Sequence, residues 1–170
     1  MGNGRNWLKR NVWRASAAIL TLTLVLATSS SLRAEQEAIA ATRIEARQIE
    51  GVWNPIVTIR DCETEAALFS FLSMDTYIQG GSYLGEGNGS PSVTGYGRWR
   101  HAGGRDYTSV FQFFTFNPDG SPAGRLKVSS RMRLSDDGTA FTAADTAEVT
   151  DLDGNVVGHA CSTREATRLQ

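Results

Sequence analysis

The chain reads as an all-β protein, an eight-stranded antiparallel up-and-down meander barrel that follows a cleaved export signal. Three observations predict this fold. The turn glycines Gly104, Gly120, Gly138 and Gly154 recur 16, 18 and 16 residues apart. Between them the sequence alternates, most cleanly over Arg125 to Leu134, where Leu126, Val128, Met132 and Leu134 share one face and Arg125, Lys127, Arg131 and Arg133 the other. No helical pattern interrupts the succession of short β-favouring runs after Gly51. Evenly spaced hairpins with one wet and one buried face make neighbours of consecutive strands. Closure removes the edges that an open sheet would leave, which favours a barrel over a two-sheet sandwich, the alternative fold.

At the N-terminus, Arg5, Lys9, Arg10 and Arg14 precede a run without charge from Ala15 to Leu32. Its apolar part, Ala15 to Ala27, is well short of the ~20 residues that span a bilayer. These are the basic and apolar regions of a signal peptide over residues 1–34, with cleavage expected after Ala34 and Ser29 as the competing site. The destination is a secreted or periplasmic one in a bacterium, with no membrane span left after processing. Removal takes 5 of the 17 basic residues and no acidic one, leaving 12 against 18, net −6. An acidic domain of this kind is repelled by phosphate backbones, so nucleic acid is a poor partner. Residues 35–50 are rich in Ala, Glu, Gln and Arg, and Ile39, Ile44 and Ile49 do not hold one helical face. They read as a flexible lead-in or a short surface helix, and residues 51–170 as the barrel domain.

Strands are expected at Gly51–Arg60, Ala67–Tyr77, Gly81–Glu86, Gly95–His101, Asp106–Phe116, Gly124–Leu134, Thr139–Thr150 and Asn155–Arg168. The turns between the later strands carry Asx and Gly residues, as in Asn117-Pro-Asp-Gly120 and Asp136-Asp-Gly138, which bend the backbone at little cost. Gly85 to Pro91 is the longest break and is expected at a barrel mouth. Cys62 and Cys161, the only cysteines, lie 99 positions apart near the two ends of the domain. In an oxidising compartment they are expected to pair as a structural staple, worth about 4 to 5 kcal/mol in the loop-entropy model. With only His101 and His159, and no C-x-x-C, neither a metal site nor a cofactor is expected.

Two polar residues stand where the alternation calls for apolar ones. Asp145 interrupts the inward series Phe141, Ala143, Ala147 and Val149, and Ser130 interrupts the neighbouring series Leu126, Val128, Met132 and Leu134. A carboxylate in that position must be paired, solvated by a cavity or neutral. The fifth strand carries Tyr107, Phe111 and Phe113 on one face and Phe114 and Phe116 on the other, so one aromatic set faces outward. The expected ligand-facing residues are therefore Ser130, Asp145, Phe111, Phe113, Met132 and Phe141. No nucleophile, base and acid fall together as a catalytic set.

Gly51-Val-Trp53 resembles the G-x-W opening of lipocalins and related calycin barrels. In those proteins the Trp closes one end of the barrel against an Arg from the last strand, which implies structural roles for Gly51, Trp53 and Arg168, with Arg164 as the alternative partner. The wider pattern, Val57-Thr-Ile-Arg-Asp-Cys62 with Gly97-Arg-Trp99 and Tyr107 to Gly120, is similar to a set of small exported bacterial proteins of unassigned function. The resemblance implies a lipocalin-like barrel that binds a small apolar molecule. A structural or protein-binding module is the second reading, and a barrel-type cyclase or isomerase the third.

Overall fold

The computed structural model describes residues 33–41, 47–87 and 93–170. Residues 33–41 form a helix that is exposed along its whole length, as a segment without a continuous apolar face must be. Apart from Arg33 and Ala34, the expected signal peptide lies outside the described residues, as do residues 88–91 of the expected mouth loop. Among the described residues no helix is long and apolar enough to cross a membrane.

Eight strands follow: β1 (Gly51–Arg60), β2 (Ala67–Ile78), β3 (Ser82–Gly87), β4 (Val93–Gly103), β5 (Asp106–Phe116), β6 (Pro122–Leu134), β7 (Ala140–Thr150) and β8 (Val156–Arg168). Each pairs antiparallel with the next, and β8 returns to β1, so the sheet is a closed up-and-down barrel rather than a sandwich. The hairpins β1–β2, β5–β6 and β7–β8 gather at one end, the mouth, where β3 also ends and β4 begins. The other three gather at the end where Trp53 sits.

That second end is plugged. Trp53 is fully buried, donates its indole N–H to the Ile49 carbonyl at 2.9 Å, and meets Phe141 edge-on at 5.0 Å. The Arg168 guanidinium lies 4.2 Å from the indole centroid, a cation–π contact of about 1 to 2 kcal/mol when desolvated. It also donates to the carbonyls of Glu50 (2.7 Å), Gly138 (3.1 Å) and Gln48. Gly51 is held at φ 133°, and a Cβ there would sit 2.7 Å from Arg168 Nη1. Both the backbone angle and the arginine's seat therefore require the glycine of G-x-W. Ile49 is buried and the carbonyls of residues 48–50 hold these two side chains, so the described residues just before β1 pack against the plugged end.

At the mouth, Cys62 and Cys161 are bridged with Cα atoms 5.3 Å apart, tying the β1–β2 hairpin to β8. On β5 the odd-numbered residues face inward, and Val110, Phe114 and Phe116 form the outward set, Phe114 lying under Arg125 at 5.9 Å.

Candidate functional site

Strand alternation sends five polar side chains to one level of the interior: Asp75 and Tyr77 from β2, Tyr83 from β3, Asp145 from β7 and Arg164 from β8. Arg164 is their centre and is 3% exposed. Its Nε and Nη2 grip the two oxygens of Asp145 at 2.9 and 3.1 Å, and Nη2 also donates to Ser130 Oγ at 2.6 Å. Nη1 divides between Asp75 Oδ2 and the Tyr77 hydroxyl, the latter at 3.5 Å. The guanidinium is flanked by Phe111 at 5.6 Å and Phe141 at 5.8 Å. Tyr83 donates to Asp75 Oδ1 at 2.8 Å, Tyr77 donates to Met132 Sδ at 2.9 Å, and Ser162 donates to Asp145 Oδ2 at 3.2 Å.

Two carboxylates around one guanidinium leave one negative charge in excess. Burial raises the Asp75 carboxyl above its ordinary range, opposed by Arg164 and the Tyr83 hydrogen bond and reinforced by Asp145. Burial also raises both tyrosines, keeping them neutral hydrogen-bond donors. It works against the Arg164 charge, but Tyr77, Asp145 and Asp75 outweigh it and Arg164 stays a cation.

This polar layer is the floor of a cavity of about 370 Å³ that occupies the mouth half of the barrel. Val57, Phe71, Phe111, Phe113, Leu126 and Val128 supply most of its apolar wall, with Phe69 near the rim. On the β3–β4 side Gly85, Gly87 and Gly95 line it; the missing side chains of Gly87 and Gly95 leave space, while Gly85 makes room for the Tyr83 phenol, whose oxygen would lie 2.3 Å from a Cβ there. Among the described residues Asp75, Asp145 and Arg164 are the only charged groups in the lining.

Of the six expected ligand-facing residues, Phe111, Phe113 and Asp145 line this cavity, whereas Ser130, Met132 and Phe141 do not. Met132 and Phe141 belong to the filled core around Trp53, and Ser130 holds Arg164 from beneath. Ser130 and Asp145 are directly paired across β6 and β7, as the meander requires, but strand tilt carries a hydrogen-bonded row up the barrel from strand to strand. Inward direction is therefore the same for all six while height is not. Asp145 both reaches the cavity and is paired, since Arg164 satisfies it. His159 is exposed, and His101 lies 2.8 Å from the Gly104 carbonyl; neither lines the cavity. Among the described residues no group of three or more His, Cys, Asp and Glu side chains is placed to hold a metal.

The sequence reading missed Asp75, Tyr83 and the role of Arg164. Two signals were present. Arg164 has the same parity as Arg168 on β8, and Asp75 interrupts the β2 face of Phe69, Phe71 and Tyr77 just as Asp145 interrupts β7.

Fold and interior define a closed eight-stranded antiparallel up-and-down barrel with a hollow mouth half. No protein-family model matches the chain, and no curated protein matches it. Among solved structures, EF1p2_mFAP2b bound to DFHBI is similar, with a TM-score of 0.53 at 15% sequence identity over 72% of this chain and 95% of that one. At that identity the likeness speaks for the fold.

Proposed function

We propose that this chain is an exported barrel that holds a small, largely apolar molecule in its mouth half. The observation that carries the reading is the cavity of about 370 Å³ with an aromatic and aliphatic wall over a single polar layer. Its volume and lining suit a small ligand, since such sites measure about 300 to 1,000 Å³ and combine apolar walls with a few polar groups. The similar barrel described as bound to DFHBI supports the same use of the architecture. The disulfide and the basic, then apolar, N-terminus support export to an oxidising compartment.

A protein-binding role is the second reading, favoured by the outward apolar strip of Ile56, Leu72 and Met74 on β1 and β2, each about half exposed. The two readings separate on one substitution. A Cβ at Gly95 would meet Phe111 and Phe113 at 3.4 and 3.6 Å, ordinary contact distances, so Gly95→Leu fills the cavity without touching the outer surface. The fluorescence of N-phenyl-1-naphthylamine, a neutral apolar probe, is expected to rise saturably with the unaltered chain. With Gly95→Leu the rise disappears, while the melting temperature holds within the few degrees that about 1 kcal/mol represents. An unaltered chain that leaves the probe dark ends the ligand-holding reading.

A further inference from the structure

The cavity floor is unusual in where its hydrogens point. All five N–H groups of Arg164 are directed at Asp75, Asp145, Ser130 and Tyr77. The Tyr83 hydroxyl hydrogen goes to Asp75 and that of Ser162 to Asp145. Ser73, the remaining hydroxyl in the lining, donates to the Glu86 carbonyl at 2.8 Å. Every donor hydrogen on this floor except a proton taken up by Asp75 is thus committed within the protein. Lone pairs remain on Tyr83 Oη, Ser73 Oγ, Ser162 Oγ and Asp145 Oδ1, because a hydroxyl oxygen has two and a carboxylate about four. A ligand acceptor arriving here finds no partner, whereas a ligand donor finds several.

Charge at the other end of the cavity has the same sign. The mouth hairpins carry Asp61, Glu63 and Glu65 between β1 and β2, Asp119 between β5 and β6, and Asp151 and Asp153 between β7 and β8. Hydrogen bonds from Thr64, Ser121 and Asn155 hold Asp61, Asp119 and Asp151 below the ordinary carboxylate range, so they stay ionised. Two arginines lie nearby, Arg60, which donates to Thr163 Oγ1 and the Glu65 carbonyl, and Arg125, over Phe114; they keep their charge, and the six carboxylates outnumber them. Acidic loops around a low-dielectric hollow focus a negative potential into it.

We infer that the cavity accepts an amphiphile with an ammonium head, the apolar body against the Phe wall and the head on the Asp75, Asp145 and Arg164 floor, and that it refuses carboxylates. The inference rests on the ligand-holding reading and names its ligand class. The floor carries one carboxylate more than Arg164 balances, and burial favours a proton on Asp75, with which the ammonium competes. The titratable and charged groups facing Asp75 are Tyr77 on its own strand, Tyr83 on β3, Asp145 on β7 and Arg164 on β8. The tyrosines stay neutral and Arg164 stays charged, so Asp75 sets the response.

Displacement of bound N-phenyl-1-naphthylamine by decylammonium, decanol and decanoate tests this on the oxidised chain. Decylammonium is expected to displace the probe at least about tenfold more tightly than decanoate, with decanol between them, because a stranded buried acceptor is costly. Raising NaCl from about 50 to about 500 mM weakens decylammonium alone. Moving from about pH 5 to about pH 8 strengthens decylammonium and leaves decanol unchanged. Glu63→Lys with Asp153→Lys, both exposed positions far from the floor, lowers decylammonium affinity without altering the probe. Decanoate binding as tightly as decylammonium, or a decylammonium affinity indifferent to salt and pH, overturns the inference and leaves the apolar cavity standing. A probe that never binds overturns the cavity reading beneath it.

Discussion

At the Trp53 end of the barrel large aromatic side chains from several strands meet one another. Trp53 touches Phe141, Phe141 touches Tyr77, and Tyr77 touches Trp99 and Tyr83. Toward the mouth, the same alternation on β3 and β4 brings Gly85, Gly87 and Gly95 inward, and β7 and β8 bring Ala147 and Ala160. The strands continue and the side chains shrink. An eight-stranded barrel is just wide enough to be filled by its own residues or to hold one small ligand, and this one does the first below Arg164 and the second above it. The charged layer is the partition, and it keeps the aromatic core out of the hollow half.

Removing the partition is expected to have the largest effect. Arg164→Met leaves Asp75 and Asp145 buried without a cation, and stranding one partner of a buried pair costs about 3 to 5 kcal/mol. With two carboxylates stranded the loss falls at the upper end of that range, measured by urea denaturation at neutral pH. A variant within about 1 kcal/mol of the parent would mean that the carboxylates are not held by Arg164. Trp53→Ala comes next, at about 3 to 5 kcal/mol from lost aromatic volume, together with the Arg168 contact. Probe binding in the surviving folded fraction should persist, since Trp53 does not line the cavity. Loss of binding without loss of stability would dissolve the distinction between the two halves.

The filled half was the more legible in the sequence. Hairpin glycines and alternation are local, and they placed strand ends within two residues of those observed. The Trp53–Arg168 contact was implied by the resemblance of Gly51-Val-Trp53 to the calycin opening, with Arg164 as the alternative partner, and Arg168 is the residue found over the indole. Partners across the hollow half were not legible for a physical reason. Asp75 and Arg164 are 89 positions apart, and they meet only because closure and strand stagger bring them to one height. Parity assigned Phe111, Phe113, Met132 and Phe141 alike to the interior, yet the first two face the hollow and the last two the core. An interrupted apolar face, as at Asp145, announces a polar site without naming its partner.

The partition itself can be titrated. Asp75 has a native pKa raised above its ordinary 3.8, so the folded state holds the proton more tightly than the unfolded chain. Its contribution is complete below about pH 3.8 and is lost as pH rises through the raised native value. Asp75→Asn carries no charge at any pH, so the stability of the variant relative to the parent should improve steadily across that window. The exposed turn carboxylates act in the opposite sense. Asp137, pulled down to about 2 by Ser135 and Thr139, and Asp61, Asp119 and Asp151 contribute above their unfolded values and lose that contribution on acidification. They are common to both proteins and cancel in the difference. A difference that does not change with pH would mean that Asp75 titrates alike in the folded and unfolded states.

The smallest expected effect tests how sharp the boundary is. Ser109 lies on β5 between Trp99 and Ser130 in the ladder, is 2% exposed, and has the one buried side-chain oxygen without a hydrogen-bond partner among the described residues. If the region below Arg164 is dry, that hydroxyl has lost water and gained nothing in return. Its removal then relieves a desolvation penalty of about 1 to 3 kcal/mol, offset by the contacts of one atom. Ser109→Ala should therefore be neutral or up to about 1 kcal/mol more stable, read as a small rise in urea midpoint at unchanged slope. If the substitution instead costs more than about 1 kcal/mol, the hydroxyl has a partner, and the candidate is water reaching past the guanidinium from above. The hollow half would then extend below the charged layer, and Arg164 would be a gate in a longer channel rather than the bottom of a cup.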